Sequence, residues 1–493
     1  MEYEGRTTTD DHITLTSQSG VPFSFTVTII GAGASPVAGR SFKITGADPA
    51  TGSPKTHEYR LPNREHNSYL DLFQNLAKDF GVRLPLNRRP PTESNFRAKY
   101  EVLLTENLAP GMLYGYGDPA VLRVEGEPAG EEGTWYYLVV TSNDAPDSFP
   151  IIRSRDLAGW EFVGFVFPKG RKPEWAADGK YVSDYWAAEL HKVGGEFRVY
   201  FVARDKKTRA LSIGVAKSSR PAGPFIAEKE PMLTGHTIDP HVFVKDEDTA
   251  FLYWKEDNND IWPGRLTRLL YEHPDSIVEL FPEKEDQITA SFIQTLWPWT
   301  RTLQPMERFF VQQVLIEAVT FTFAEFHDRL AELMDRQSDL KARQEVRAVL
   351  QVMRTPVYAQ KLSADGLSLV GERTKIIEND QAWEAHLIEG MWLTEHRGKY
   401  YLFYAGNDFS TVRYGIGVAI ADSPLGPYRK MPEPLLRSTK EWSAPGHPSV
   451  VTGLDGEPLL FFHAFFPGRT GYKEFRALLA ARIEFESDGV LLK

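Results

Sequence analysis

From about Gly111 onward the chain repeats one pattern: a short aromatic or β-branched run, a polar turn, then a second alternating run. Residues 135–140 lead to 150–157, 197–202 to 211–216, 400–404 to 414–419, and 459–463 to 476–480, with 251–254 making a fifth unit. Short runs of this composition, bounded by turn residues, read as strands. Two units end alike, in Ser219-Arg220-Pro221-Ala222-Gly223-Pro224-Phe225 and Ser423-Pro424-Leu425-Gly426-Pro427-Tyr428. A degenerate repeat of this kind predicts an all-β fold, a β-propeller of about five blades, in which each sheet buries its faces against its neighbours. A β-sandwich would alternate in the same way. It would not repeat the strand-turn-strand-Gly-Pro-aromatic unit.

Two segments depart from the pattern. Between about 261 and 355 the spacing turns helical: residues 305–353 hold almost no glycine, and Phe309, Val311, Val314, Leu315, Ala318 and Val319, then Leu330, Leu333 and Met334, recur at three and four. This reads as a helical insertion of about 95 residues, its apolar stripe a core face, with a lid or dimerisation role open. The first 110 residues form a small N-terminal α+β accessory domain. There, 12–16 and 23–30 alternate as strands, 68–80 is amphipathic, Gly31-Ala32-Gly33-Ala34-Ser35 reads as a turn, and Arg88-Arg89-Pro90-Pro91 as a linker. The expected organisation is thus an accessory domain over 1–110 and a propeller over 111–493, interrupted by 261–355.

A length of 493 residues exceeds one ordinary core, although a propeller adds core with each blade. A net charge of −11 argues against nucleic acid or an anionic membrane as partner. Without cysteine the chain has no disulfide, thiolate metal site or cysteine nucleophile. The start, Met1-Glu2-Tyr3-Glu4-Gly5, lacks a basic, then apolar, leader. A cytoplasmic location is expected, or a secreted one if a leader has been removed. A homo-oligomer is possible.

Three acidic motifs stand close ahead of strands: Tyr116-Gly117-Asp118-Pro119, Ile238-Asp239-Pro240-His241 and Ile388-Glu389-Gly390-Met391. One Asp in such a place is ordinarily a turn residue. Three in matching contexts of a radial repeat aim carboxyl groups at a common axis. Paired carboxyls beside a sugar-sized pocket are the machinery of glycoside hydrolysis.

The chain from about Tyr114 onward resembles glycoside hydrolase family 43 on several motifs in the family's order. They are Tyr116-Gly117-Asp118-Pro119, the strand and turn from Ile151 to Trp160, Tyr185-Trp186-Ala187-Ala188-Glu189, Thr237-Ile238-Asp239-Pro240, Ile388-Glu389-Gly390-Met391-Trp392, and Ala444-Pro445-Gly446-His447-Pro448-Ser449-Val450-Val451. Ala188 and Met391 stand where proline is usual. The resemblance implies a five-bladed propeller and inverting hydrolysis of β-xylosides or α-L-arabinofuranosides. It implies Asp118 as general base, Glu389 as general acid, and Asp239 as the third acid, which tunes and orients Glu389.

Around these, the resemblance implies Arg476 as a substrate contact and Glu189 as a residue that binds or orients within the pocket. Trp186, Phe149 and Trp392 are candidates for packing on a sugar ring or for blade core. His447 is expected to face a central channel and, through waters, a structural calcium or sodium ion; no cofactor is required for chemistry. No histidine cluster has zinc spacing. Glu384 competes with Glu389 for the acid role but fits an upstream structural element. The leading expectation is release of terminal xylose or arabinofuranose from xylo- or arabino-oligosaccharides. An endo-arabinanase with the same acids and a non-catalytic carbohydrate-binding propeller are the alternatives.

Overall fold

The computed structural model describes residues 7–9, 12–32, 39–89, 96–125, 133–180, 182–259 and 261–493. It divides into two compact units, one of residues 1–90 with 258–354, the other of 91–257 with 355–493.

The first unit joins residues 1–90 of the expected accessory domain to the helical segment, whereas residues 91–110 fall in the second unit. A five-stranded antiparallel meander (Thr7–Thr9, His12–Thr16, Thr26–Ile30, Arg40–Ala47, Pro54–Leu61) is followed by the helix His66–Phe80. Seven helices between Trp262 and Val352 share their core. Phe25 lies edge-on to both Phe80 and Phe292, and Phe42 to Trp299. Arg83 pairs with Asp286 at 2.7 Å, and the buried Arg40 and Tyr69 both bond Glu307. The reason lies in the helix Pro305–Phe321, which is buried on nearly all sides. A helix without a polar face needs cover all round. The stripe is indeed core, but two-sided, and the two segments cover it together. Gly33, Ala34, Ser35, Pro90 and Pro91 lie outside the described residues.

Among the described residues the second unit holds five antiparallel sheets, each a meander in chain order. The first contains Ala120–Glu125, Thr134–Val139, Ser148–Ser154 and Glu161–Phe167; the second Trp186–Val193, Glu196–Arg204, Leu211–Ser218 and Ile226–Ala227. The third contains Thr237–Asp246, Thr249–Glu256, Val357–Leu362 and Leu369–Ile377, so the helical segment enters between its second and third strands. The fourth contains Ile388–His396, Lys399–Gly406, Gly415–Ala421 and Arg429–Lys430, and the fifth Ser443–Thr452, Pro458–Phe465, Arg476–Phe485 and Val490–Leu492.

The first strand of each sheet packs on the first strand of the next, and that of the fifth packs on that of the first. Glu101–Leu104, which precedes the first sheet in the chain, pairs with Arg476–Phe485 of the fifth. The two ends of this unit are thereby tied through backbone hydrogen bonds. Aromatic side chains fill the spaces between sheets: Phe149, Phe167 and Phe201 meet with centroids 5.0–6.0 Å apart.

Candidate active site

The five first strands share one local device. Each has, just ahead of it or within its first five residues, a residue in the left-handed backbone region, followed by proline or a small or apolar residue. These pairs are Asp118 (φ 55°) with Pro119, Ala187 (45°) with Ala188, Asp239 (54°) with Pro240, Gly390 (58°) with Met391, and His447 (51°) with Pro448. In the last four strands the pairing register shifts here, between Trp186 and Glu189, Ile238 and His241, Glu389 and Trp392, and Gly446 and Ser449. Bulges re-aim side chains at strand ends, and a non-glycine residue held there costs about 1–3 kcal/mol. Ala187 and Gly390, which precede Ala188 and Met391, hold the same left-handed backbone as the residues that precede Pro119, Pro240 and Pro448. The device presents Asp118, Asp239 and Glu389 to one region from three sheets, where their charges act on one another.

Asp118 sits among donors. Arg476 Nη1 lies 2.8 Å from its Oδ1, His447 Nδ1 3.4 Å from the same oxygen, and Thr141 donates its hydroxyl to Oδ2. Its own N–H donates to His463 Nδ1 at 3.1 Å, which makes that nitrogen an acceptor and the ring neutral. Burial pushes the carboxyl up, but Arg476, His447 and the Thr141 bond outweigh it and hold Asp118 well below the usual carboxylate range. Gly117 makes room: a Cβ there would overlap the Arg476 guanidinium.

Glu389 and Asp239 face the opposite environment. Both are pushed up to about 7, first by burial, with the charge of Asp239 adding to this at Glu389 and that of Asp118 at Asp239, against the pull of Lys255. Tyr414 donates to Glu389 Oε1 at 2.7 Å, and Lys255 Nζ lies 3.4 Å from Oε2. Asp239 Oδ2 accepts the N–H of Gly390 at 2.7 Å, so it rests against the peptide beside Glu389. Gly390 is required twice, by its positive φ and because a Cβ would lie 2.9 Å from His447 Nδ1. Glu384 is a saturated acceptor, bonded by Tyr404, Lys430 and the N–H groups of Asp380 and Gln381.

The other expected residues divide. Arg476 and His447 are brought to Asp118. Glu189 is buried, and its Oε2 bonds His191 Nε2 at 2.6 Å and His241 Nδ1 at 2.8 Å. His241 Nε2 accepts the N–H of Leu393, so Nδ1 carries the proton toward Glu189. This Glu–His–His cluster is therefore closed by protons and not arranged to ligate a metal. Trp186, half-buried, donates Nε1–H to Asn143. Phe149 is fully buried among Phe167, Tyr185 and Phe201, and Trp392 packs at a tilt against His191 and His241, so both rings have aromatic protein neighbours.

The donors near His447 fit an ion poorly. Calcium takes six to eight oxygens, and the carboxylate beside His447 is already bonded by a guanidinium and a hydroxyl. Sequence reasoning missed Lys255, Asp257, Thr141, Tyr414 and His463.

One carboxyl held well below its usual range and a second pushed up to about 7, supplied by separate sheets, are the pairing that glycoside hydrolysis uses. The comparisons give the particular family. The chain matches the model described as glycosyl hydrolases family 43 over residues 114–289 and 348–491, and belongs to that family. It is 26% identical over 310 residues to "Xylosidase/arabinosidase 43A" of Humicola insolens, covering 62% of this chain and 74% of that one. To "Beta-xylosidase" of Xylanibacter ruminicola it is 24% identical over 306 residues, covering 62% and 72%. Among solved structures, a thermostable family-43 glycoside hydrolase aligns with a TM-score of 0.51 at 24% identity, over 78% of this chain and 94% of that chain.

Proposed function

We propose that the second unit is a five-bladed β-propeller whose central acids carry out inverting hydrolysis, releasing terminal β-D-xylose or α-L-arabinofuranose from hemicellulose oligosaccharides. The cyclic packing of the five first strands supports the propeller, and the names of the relatives support the substrate class. The observation that carries the mechanism is the opposed protonation of two carboxyls in one site. Asp118, ionised, takes a proton from water as its oxygen attacks the anomeric carbon from the face opposite the leaving group. Glu389, protonated, delivers a proton to the departing glycosidic oxygen as its bond to carbon breaks. Asp239 keeps the proton near Glu389 by like-charge repulsion. Xylo- and arabino-oligosaccharides are the partners this reading requires.

Hydrolysis of para-nitrophenyl β-D-xyloside and α-L-arabinofuranoside is the test, followed by proton NMR of the sugar as it is released. Turnover with an inverted anomer first is expected. Retention of configuration overturns the assignment of Asp118 as base, and cleavage of debranched arabinan without aryl glycosides overturns terminal release.

A further inference from the structure

Lys255 is completely buried, yet nothing in the hydrolysis proposed above uses it. It lies on Thr249–Glu256, the second strand of the third sheet, paired with Ile238 beside Asp239. Its Nζ stands between two carboxylates, 3.4 Å from Glu389 Oε2 and 3.5 Å from Asp257 Oδ1. Asp257 is itself buried and fixed by its N–H bond to His236 at 2.6 Å. A lysine without exposure is rare unless paired, and burying an ammonium is costly unless its surroundings repay it. The pairing here is with the proposed general acid, and the second carboxylate is one the proposed reaction does not touch.

The groups facing Glu389 from all sides are few. The third sheet supplies Asp239, Lys255 and Asp257; the fourth supplies Tyr414 and, just before its first strand, His386. The fifth supplies His447, against Gly390, with Arg476 and His463 around Asp118 of the first sheet. Tyr414 keeps its proton, held by burial and the carboxylates near it. His386 is held neutral, its pKa lowered to about 3 by burial and then Lys255. That leaves the carboxyls of Asp118, Asp239, Glu389 and Asp257 against the cations of Lys255 and Arg476. Arg476 is committed to Asp118 by its 2.8 Å bond. Beside Asp239, already assigned a part in the reaction, the charges that act on Glu389 are those of Lys255 and Asp257.

We propose that Lys255 and Asp257 are positioning residues that act through Glu389 as opposed fixed charges, Lys255 drawing its proton off and Asp257 holding it on. The proposal rests on the reading of Glu389 as general acid. Lys255 remains charged: burial opposes its charge, but Glu389, Asp257 and Asp239 outweigh burial and raise it above the ordinary lysine value. The pair then sets the pH at which the acid is spent. Activity falls as pH rises through the value at which Glu389 loses its proton.

The experiment compares the pH profiles of kcat/KM for Lys255→Met and Asp257→Asn with wild type on the better aryl pentoside. An opposite charge within about 4–6 Å moves a carboxyl by ~1–3 pH units. Lys255→Met should move the basic limb up by about that amount, and Asp257→Asn should move it down. Shifts of opposite sign are what a merely structural role would not produce. Both limbs moving the same way, or neither moving, overturns the proposal.

If Lys255→Met does not fold, Lys255→Arg (limb unmoved) and Asp257→Asn (limb lowered) carry the test. A readout without substrate is the difference in Tm between each protein and its Glu389→Gln counterpart, followed against pH. Its inflection reports the proton on Glu389 and should shift with the same two signs. If instead Glu389→Gln keeps the wild-type basic limb, the acid assignment itself fails, a result distinct from an unmoved limb in the Lys255 and Asp257 variants.

Discussion

Asp118 and Glu389 are both carboxyl groups at the start of a first strand, Asp118 half-buried and itself in the left-handed region, Glu389 buried and just before the left-handed Gly390. Their surroundings drive them apart. Asp118 has a guanidinium, an imidazole and a hydroxyl pointed at it. Glu389 has a phenol, one ammonium 3.4 Å away and the charge of Asp239. Burial raises both, and the neighbours decide which ends ionised. A repeated backbone device thus places equivalent side chains, and sheet-specific partners give them opposite roles.

The sharpest way to break this comparison is to remove each proton function and vary the leaving group. General acid or base catalysis is worth about 10²–10⁴-fold. Glu389→Gln should lose about that much on a xylo-oligosaccharide and far less on a dinitrophenyl glycoside, whose departure needs no proton. Asp118→Asn should lose the same amount on both. Equal leaving-group dependence in the two variants would erase the distinction.

A smaller effect should come from the cation that makes Asp118 a base. Arg476→Met removes the strongest opposing charge, so Asp118 should hold its proton to higher pH. The acidic limb of kcat/KM should rise by ~1–3 pH units while the basic limb, which belongs to Glu389, stays in place. Gly117→Ala, which crowds the same guanidinium, should move the acidic limb in the same direction. An unmoved acidic limb in Arg476→Met would show that His447 and Thr141 suffice.

The three acids were legible because each lies on a short motif ahead of an aromatic strand, and the strands were legible from their alternation. Strands Arg40–Ala47 and Pro54–Leu61 were not: the second, Pro-Lys-Thr-His-Glu-Tyr-Arg-Leu, carries polar residues on both faces and is half-exposed along its length. Lys255 was hidden for a different reason. In Trp254-Lys255-Glu256-Asp257 it reads as the solvated end of a strand, although it follows Tyr253 on the same face, which is fully buried. The joining of residues 1–90 with 258–354 had only one sequence signal, the helix at 305–321 that lacks a polar side. The closed network of Glu189, His191 and His241 depends on contacts between sheets, which no local pattern encodes.

The smallest effect, and the one that tests the comparison without substrate, is on stability. Glu389 in the folded chain sits at about 7, above its value in an unfolded one. Below the unfolded value both states hold the proton and nothing is lost; between that value and 7 the folded state alone keeps it, so stability falls as pH rises. Glu389→Gln cannot ionise and should gain on wild type from pH 5 to pH 8, by on the order of 1–3 kcal/mol. Asp239→Asn should behave alike, and the double variant should gain less than the sum, because Asp239→Asn already removes a charge that raises Glu389. Asp118→Asn should show the reverse sign. A depressed carboxyl adds stability above its unfolded value and loses it as pH falls through its folded value, so this variant should be weaker than wild type at pH 7 and begin to converge on it only below about pH 4. Thermal unfolding of the four variants across that range decides it: parallel curves for Asp118→Asn and Glu389→Gln would mean that the two carboxyls share one environment after all.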